Sequence, residues 1–414
     1  MRTPVPDYLE EVLGGCTVDG GAVADYVPEL AAADPDRLGV ALTTLDGVTY
    51  SAGDDDVQFT VQSISKPFAY ALALEDRGLA AVLEVVGTEP SGDAFNEISL
   101  EPGTGRPRNP MINIGAITTH SLVGEPGLAV AARSERLRRG LSAFAGRELV
   151  VDETVLESEM GTAHRNLALA HMVRSRGTTT EDPTVLVREY TRQCALLVDV
   201  RDLAVMAATL AHHGVNPVTG ERVVGARVAR QVLSVMATCG MYDAAGDWLS
   251  VVGIPAKSGV AGGILGALPG EVGIGTFSPR LDRFGNSTRG VRVCERLSED
   301  MGLHLMGMAP AGLAVVREVE RVRDDDGRTA WRAVLQGPVT FSGGERVLRE
   351  LARIGPDGVD VVLDLTRVSQ VDDVGRRMLL EGVRRLGLDG HAVSVVDPEL
   401  MLVVEDVGTP GRAR

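Results

Sequence analysis

The sequence predicts a larger α+β domain, built from a mixed sheet and a helical lobe, followed by a small α/β domain. Its 414 residues are enough for two or three domains of ordinary size. Strand-like segments at both ends of roughly the first 300 residues enclose a long stretch with helical spacing, which favours one sheet shared by the two ends. The composition changes at Ala309-Pro310-Ala311-Gly312, so we place the domains at residues 1–310 and 312–414.

The N-terminal elements are predicted from apolar spacing and turn residues. In order they are a helical segment over 8–33, a hairpin of strands 40–42 and 48–50, a short strand at 59–61 and a helix over 63–76. Asp46-Gly47 is a strong turn signal between the two hairpin strands. Pro67 is compatible with the first turn of the following helix, where its missing N–H leaves no helical bond unmade.

Irregular, helical and strand-like patterns follow one another in the rest of the larger domain. Residues 86–110 are rich in Gly and Pro and predict a long loop, which in a compact domain usually has a function. Residues 120–240 are mostly helical in spacing, and apolar runs at 249–254 and 262–268 predict strands. The helices would then form a lobe beside a sheet made by the terminal segments.

The smaller domain is predicted as a β-β-α-β-α-β unit. Strands at 315–323 and 331–335 flank the turn Asp324-Asp325-Asp326-Gly327. A helix at 343–353, a strand at 359–365, a helix at 374–387 and a strand at 392–396 follow. This order predicts helices packed on a small sheet.

Charge and cysteine content limit the class of function. The net charge is −16 and the pI about 5.0, which argues against a general surface for nucleic acid or anionic membranes and fits a soluble protein of small-molecule metabolism. The N-terminal residues lack a signal-peptide pattern and no long apolar run occurs, so we expect a cytoplasmic protein. The four cysteines form no CxxC pair and are expected to be free, buried thiols.

Lysine is almost absent from this chain. Two of the 41 Lys and Arg residues are lysines, Lys66 and Lys257. A GC-rich coding bias would explain the excess of arginine but not the two exceptions. Arg keeps its proton in proteins, whereas a desolvated Lys can release it. We therefore expect both positions to need a compact ammonium or an amine that can act as a base.

Both lysines lie in patterns used by serine hydrolases. Lys66 ends Ser63-Ile64-Ser65-Lys66, and on a helix it would share one face with Ser63 and could take the proton of that poor nucleophile. Alone, the pattern is weak, because a solvated Lys and a Ser at a helix start are commoner. Lys257-Ser258-Gly259 strengthens it, since it resembles the K-[ST]-G strand of β-lactamases and penicillin-binding proteins. There the following residue, here Val260, offers an N–H to an oxyanion hole, with the Ser63 N–H as its partner.

Seven segments in chain order carry a more specific resemblance. They span about residues 20 to 290 and are Val61-Gln62-Ser63-Ile64-Ser65-Lys66, Gly87-Thr88-Glu89-Pro90-Ser91-Gly92, Asn109-Pro110-Met111-Ile112-Asn113-Ile114-Gly115-Ala116-Ile117, Ser158-Glu159 with Arg165-Asn166, Tyr190 near Gln193-Cys194, Thr238-Cys239-Gly240-Met241-Tyr242-Asp243, and Pro255-Ala256-Lys257-Ser258-Gly259-Val260. On these segments the chain resembles a serine-dependent glutaminase of the β-lactamase-like superfamily. Small departures, such as Ile114 and Pro67, remove no reacting group.

The resemblance implies a reaction and a role for each matching residue. Ser63 would attack the side-chain amide carbon of glutamine and release ammonia, with Lys66 as the base or as part of a proton relay with Tyr242. The Val260 N–H would stabilise the oxyanion, and Lys257 would support the site electrostatically. The substrate would be held by Gln62, Asn113, Glu159, Asn166, Tyr26 and Tyr190, together with Ser63, Tyr242 and Val260.

This residue set suits a free amino acid. Glutamine is a zwitterion, so its site needs an acidic acceptor and neutral amide donors, and Glu159 is the one formal counter-charge for the ammonium. Taken singly, each of these residues is more often a packing tyrosine, a capping asparagine or a solvated carboxylate. These residues lie in segments that follow one another in the same order as in the family, and this favours the functional interpretation. Residues 87–96 resemble a gating loop beside the site, although an ordinary surface loop would look alike.

Residues 312–414 resemble a STAS domain, the module of anti-sigma-factor antagonists and sulfate-transporter tails. The resemblance rests on element order and on residues 363–375, Leu-Asp-Leu-Thr-Arg-Val-Ser-Gln-Val-Asp-Asp-Val-Gly. In that family a phosphorylatable Ser often occupies one position of this segment. This chain has Asp373 there instead, so phosphorylation at this position is not expected. A fixed carboxylate at a helix start is favoured by the helix dipole. A degenerate packing or dimerisation module is the alternative to a regulatory sensor.

The sequence therefore predicts a cytoplasmic glutaminase with an appended STAS domain. No metal or organic cofactor is implied, L-glutamine is the expected substrate, and a homodimer or homotetramer is the expected assembly, with no nucleic-acid or membrane partner. Two alternatives stay open: another SxxK-type amidase, or an inactive glutamine sensor that signals through the STAS domain. The substrate-binding set disfavours the first, and the intact catalytic residues disfavour the second.

Overall fold

A computed structural model describes residues 5–17, 20–92, 97–307, 315–323, 329–339, 341–355 and 358–402. The chain divides into two compact units, Met1–Met308 and Ala309–Arg414. The predicted boundary at 309–312 and the predicted turn at 324–327 lie outside the described residues. No helix in the described ranges is both long and apolar enough to cross a bilayer.

The larger unit consists of helices, short strands and two 3-10 turns. Its helices are α1 (Val5–Gly15), α2 (Pro28–Ala31), α3 (Ser65–Arg77), α4 (Leu79–Val85), α5 (Asn113–Leu122), α6 (Val130–Ala145), α7 (Glu153–Thr162), α8 (His164–Ser175), α9 (Pro183–Cys194), α10 (Val200–Ala211), α11 (Ala226–Cys239), α12 (Ala245–Val251) and α13 (Thr288–Met301). Its strands are β1 (Gly39–Thr44), β2 (Thr49–Gly53), β3 (Phe59–Thr60), β4 (Leu197–Val198), β5 (Ala256–Ser258), β6 (Gly263–Leu268) and β7 (Val272–Phe277). The 3-10 turns are Gln62–Ile64 and Tyr242–Ala244.

Five strands form the main sheet, in the order β2-β1-β7-β6-β5. The prediction that both ends of this domain share one sheet is confirmed, because β1 pairs with β7. The prediction of a mixed sheet is wrong, because every pairing in it is antiparallel. Hairpins join the consecutive strands, and antiparallel pairing needs no helical crossover within the sheet.

Helices cover both faces of this sheet. Alternate residues of β1 point to opposite faces: Val40 and Leu42 pack with α1 and α13, whereas Ala41 packs with α10. On the side that faces α10, β7 has a glycine, Gly273, with no side chain. A Cβ at this position would lie 2.1 Å from the Ala208 backbone N. Glycine therefore lets α10 lie directly against the sheet.

The helical lobe is built around α3. All residues of α3 from Ser65 to Leu74 are buried. Phe68 of α3 packs on Phe144 of α6 with ring centroids 4.8 Å apart. Because α3 is enclosed on all sides, the residues at its N-terminal end are held in fixed positions.

Two predicted elements of the larger unit differ in the structure. The helical segment predicted over 8–33 is interrupted, since α1 ends at Gly15 and α2 begins at Pro28. The strand predicted at 249–254 is wrong, because residues 245–251 form α12. There Trp248 packs into the core and its indole N–H donates to the Ile254 carbonyl at 2.6 Å. A short apolar run fits a buried helix face as well as a strand, so spacing could not separate them.

The smaller unit has the predicted order of elements. They are β8 (Val316–Arg323), β9 (Thr329–Val339), α14 (Phe341–Leu351), β10 (Asp360–Val371), α15 (Asp373–Leu388) and β11 (Val393–Val396). The sheet order is β11-β10-β9-β8, with β8 and β9 antiparallel and β10 parallel to both of its neighbours. Leu335, Val361, Leu363 and Leu379 belong to the core of this unit. The carboxylate that caps α15 belongs to Asp372, which accepts from the Gly375 N–H, and Asp373 is the first helical residue.

Candidate active site

Ser63 lies in the 3-10 turn that leads into α3 and is 8 % exposed. The residue before it, Gln62, has a φ of 50°, in the left-handed region that non-glycine residues avoid. Such a conformation costs of the order of 1–3 kcal/mol and persists only where the surroundings impose it. The predicted nucleophile therefore sits directly after a strained backbone position.

Lys66 follows Ser63 by one helical turn and is 1 % exposed. Its Nζ donates to Asn113 Oδ1 at 2.7 Å and to the Met111 carbonyl at 3.3 Å. Burial lowers the pKa of this amine to about 8. Both acceptors can be satisfied by a neutral amine, so Lys66 is suited to act as a base near neutral pH.

Tyr242 is hydrogen-bonded to a residue of each lysine-containing motif, Ser63 in the first and Ser258 in the second. Its φ of 54° also lies in the left-handed region. Its hydroxyl donates to the Ser258 carbonyl at 3.0 Å and is hydrogen-bonded to the Ser63 side chain. A carbonyl can only accept, so the single phenolic hydrogen goes to Ser258. The Ser63 hydroxyl must then donate to the Tyr242 oxygen. In this arrangement the serine proton already points at the tyrosine.

Lys257 lies beside the same tyrosine and is fully buried. Its Nζ donates to the Ser258 carbonyl at 2.8 Å and stands 4.1 Å from the centroid of the Tyr242 ring. Burial, and next the positive charge of Lys66, hold the pKa of Lys257 well below its usual value. Two buried ammonium groups repel each other, so the pair favours a state in which one amine is neutral.

The turn after β5 packs tightly on the 3-10 turn Gln62–Ile64, which we call the nucleophile turn because it holds the predicted nucleophile Ser63. A Cβ on Gly259 would lie 3.1 Å from Ile64 Cγ1 and 3.2 Å from the Val61 carbonyl oxygen. Val260, the next residue, is 8 % exposed. The close approach brings Gly259, the residue before Val260, against Val61 and Ile64 on either side of Ser63.

Amide side chains connect the predicted substrate-binding residues. Asn113, the first residue of α5, donates through Nδ2 to Asn166 Oδ1 at 3.0 Å. Gln62 donates through Nε2 to Glu159 Oε1 at 2.5 Å. Burial raises the pKa of Glu159 to about 6, although the Gln62 bond opposes the shift, and Glu29 adds to it. The site thus holds a desolvated carboxylate that changes charge just below neutral pH.

Two further tyrosines complete the predicted set. Tyr190 on α9 is 3 % exposed, and burial followed by the neighbouring Cys194 raises its pKa well above the usual value. Half of the Tyr26 surface is exposed, yet burial of its hydroxyl, and next the charge of Glu159, raises its pKa as well. The ring of Tyr26 therefore faces solvent while its hydroxyl points inward. Charge interactions link both Tyr26 and Tyr190 to Glu159 and Tyr242, so the three tyrosines and this carboxylate lie in one cluster.

A cavity of about 460 Å³ opens beside Tyr242. Met111, Leu249 and residues 90–92 are part of its lining. Residues 93–96 of the predicted gating loop lie outside the described residues. In the described part of the chain, no group of three or more His, Cys, Asp or Glu side chains could hold a metal ion.

Sequence patterns did not indicate every group that serves this cluster. The Ser258 carbonyl accepts from both Tyr242 and Lys257, but a backbone acceptor has no residue-type signature. Ser65 and Gln193 are bonded to each other at 2.9 Å behind the nucleophile turn. Both residues belong to the motif segments quoted above, but only the structure shows that their side chains are hydrogen-bonded.

Comparisons with known proteins point to one family. A family model described as glutaminase matches residues 21–306. A glutaminase of Corynebacterium glutamicum is 50 % identical over 403 residues, which cover 97 % of this chain and 96 % of that protein. A glutaminase of Trichormus variabilis is 52 % identical over 288 residues, 69 % of this chain and 85 % of that one. A crystal structure of Mglu in its glutamate form has a TM-score of 0.89 and 50 % identity, and the match covers 97 % of this chain and all of that chain.

Proposed function

The chain belongs to the glutaminase family, and we propose that this glutaminase works through a covalent intermediate on Ser63. The overall reaction converts L-glutamine and water into L-glutamate and ammonia. The observation that carries the proposal is the hydrogen bond between Ser63 and Tyr242, made beside two buried lysines. It supplies a nucleophile, a proton acceptor and nearby amines in one place.

In the first step the Ser63 oxygen attacks the amide carbon of the substrate side chain. As the Ser63 proton passes along the existing bond to the Tyr242 oxygen, the Tyr242 hydroxyl turns from the Ser258 carbonyl and gives its own proton to a neutral lysine amine, with Lys66 as the main acceptor. The C–N bond then breaks, the leaving nitrogen takes a proton from the same relay, and ammonia departs. An ester of glutamate on Ser63 remains.

In the second step water attacks the ester carbon and gives its proton to the relay. The C–O bond to Ser63 breaks, the serine oxygen regains a proton, and L-glutamate leaves. The N–H groups of Ser63 and Val260 would hold the oxyanion of both tetrahedral intermediates. Removing one such donor in other enzymes costs about 10²–10³-fold in kcat.

Substrate recognition follows from the charges of the cluster. Glu159 would accept the α-ammonium, and its bond to Gln62 would orient it. The amides of Asn113 and Asn166 and the hydroxyls of Tyr26 and Tyr190 would contact the α-carboxylate and the side-chain amide. A site with one buried carboxylate rejects a ligand that lacks a cation, because the carboxylate would then stay unpaired.

Ammonia release from L-glutamine tests the proposal. We expect Ser63→Ala to abolish turnover and Ser298→Ala to preserve it. Ser298 is a matched control, a buried serine that donates to the Val252 carbonyl at 2.7 Å. Equal ammonia release by Ser63→Ala and wild type, with both proteins folded, would overturn the covalent mechanism. Turnover of a β-lactam in place of glutamine would favour the alternative amidase.

We further propose that the smaller unit is a STAS domain with a regulatory role. Its order of strands and helices supports this, as does the carboxylate pair at the start of α15, where Asp373 is exposed. Cytoplasmic location and homo-oligomeric assembly stay predictions of the sequence.

A further inference from the structure

A chain of buried hydrogen bonds runs behind the nucleophile turn. His120 Nδ1 lies 3.0 Å from Gln193 Oε1, and Gln193 Nε2 donates to Ser65 Oγ at 2.9 Å. Ser65 Oγ donates in turn to the Gln62 carbonyl at 2.7 Å. None of the four residues is more than 4 % exposed. The chain joins α5, α9 and α3 to the residue that precedes Ser63.

The direction of every bond in this chain is fixed by its last member. The Gln62 carbonyl can only accept, so the single hydroxyl hydrogen of Ser65 points at it. The group of Gln193 that faces Ser65 must then be the donor NH₂, and its carbonyl faces His120. His120 must therefore carry a hydrogen on Nδ1. All the bonds point toward Gln62, an arrangement in which each bond strengthens the next.

The carbonyl that ends this chain belongs to the strained residue of the site. Gln62 has its φ at 50°, and its backbone sets both the Ser63 N–H and the direction of the Ser63 side chain. We propose that Ser65, Gln193 and His120 are positioning residues that hold Gln62 in its left-handed conformation and so aim Ser63 at the substrate. This inference rests on the proposed role of Ser63 as nucleophile.

His120 is suited to this task because it stays neutral. Burial, and next the charge of Arg133, lower the pKa of His120 to about 3, although the bond to Gln193 opposes the shift. The ring therefore keeps one tautomer over the whole working range of pH. Tyr190 packs edge-on against it, with ring centroids 6.3 Å apart.

The first test removes the hydroxyl at the centre of the chain. We expect Ser65→Ala to lower kcat by about 10- to 100-fold, since a misplacement of about 1 Å can cost that much, with a smaller change in KM. Ser298→Ala deletes a comparable buried serine-to-carbonyl bond and should leave kcat unchanged. Thermal unfolding of both variants reports the general cost of a lost hydrogen bond. A wild-type kcat in folded Ser65→Ala would overturn the inference.

The second test reverses one bond with almost no change of shape. In Gln193→Glu a carboxylate could only accept from Ser65, which would draw the hydroxyl away from Gln62. The protonated carboxyl could donate as the amide does. The ratio of variant to wild-type kcat should therefore rise as the pH falls, whereas the ratio for Ser65→Ala should stay low and flat. A flat ratio for Gln193→Glu would contradict the positioning role.

Other charged or titratable groups face this position and set where the introduced carboxyl changes charge. Glu135, Arg138, Glu189 and Arg192 line a cavity with Gln193, and His120 is bonded to it. Arg133 acts on His120, and Lys66, Glu159 and Tyr190 act on the neighbouring Cys194. Ser63→Ala, measured in parallel, separates the two proposals. If it retains activity, the nucleophile is wrong. If it is inactive while Ser65→Ala is normal, only the positioning role is wrong.

Discussion

Lys66 and Lys257 carry the same chemical group but are held differently. Lys66 bonds to a side-chain amide and to a carbonyl of the segment before α5, whereas Lys257 bonds to the carbonyl that also anchors Tyr242. Burial lowers the pKa of both amines, and the field of Lys66 lowers that of Lys257 further. A residue that could not release its proton would therefore not serve at the position of Lys66, the proposed base.

Replacing Lys66 by arginine should abolish turnover as completely as replacing it by alanine. Arginine stays charged at any working pH, so it cannot receive the serine proton, and loss of a general base costs about 10²–10⁴-fold in kcat. Lys66→Met keeps most of the packing without an amine and should lose as much. Steady-state ammonia release measures all three variants. Near-normal kcat in Lys66→Arg would show that no removable proton is needed.

The pH dependence of kcat/KM should show two rising limbs. Glu159 must be ionised to bind the ammonium, and its pKa of about 6 predicts an increase as the pH rises through that value. Lys66 must be neutral to act as a base, and its pKa of about 8 predicts a second increase. Glu159→Gln should remove the lower limb alone. A steady decline from about pH 6 to pH 8 would contradict both assignments.

At the scale of single residues, the sequence indicated candidate side chains but not the contacts that they make. Ser63, Lys66 and Tyr242 could be named because their segments occur in a family order, and the structure brings them together, although their roles stay predictions. The Ser258 carbonyl and the link from Gln193 to Ser65 could not be named. Such contacts depend on which distant segments meet, and residue type alone does not encode this.

Among the secondary-structure elements, regular apolar spacing was the reliable signal. The hairpin of β1 and β2, the helix α3 and the elements of the smaller unit were predicted from it. The antiparallel sheet and the helix α12 were not, because neither strand direction nor the identity of a short apolar run is set by spacing. The close approach of the turn after β5 to the nucleophile turn was likewise visible only in three dimensions.

That close approach predicts a defect in Gly259→Ala. The added methyl would press on Ile64 and on the Val61 carbonyl. This would displace the adjacent N–H of Val260, the proposed oxyanion donor. We expect kcat to fall by about tenfold or more, because one oxyanion donor is misplaced. Gly14→Ala is the control, since a Cβ there meets nothing within 4 Å. Equal kcat in both variants would mean that Val260 gives no such donor.

Over the whole molecule, each of the two units has its own core. The buried clusters of Met1–Met308 share no residue with the cluster that holds Leu335, Val361 and Leu379. The larger unit therefore contains all the predicted site residues and the apolar packing that supports them.

Truncation after residue 311 should leave the chemistry intact. We expect a folded protein with wild-type kcat, because the site and its cores lie within Met1–Met308. Ammonia release, thermal unfolding and the mass of the particle in solution, measured on the full and shortened chains, check this. A large loss of kcat or of assembly would show that the smaller unit is part of the active form.

The pairing of β1 with β7 has a consequence for how the protein is made. Gly39 needs Phe277 as its partner, so the central sheet cannot close until most of the larger unit has left the ribosome. Pairings between distant segments slow folding and leave strand edges open in the meantime. Ser63 emerges early, but Tyr242, which is hydrogen-bonded to it, emerges late. The nascent chain therefore carries the proposed nucleophile unassembled, and we expect catalytic competence to arrive in the same late event that closes the sheet.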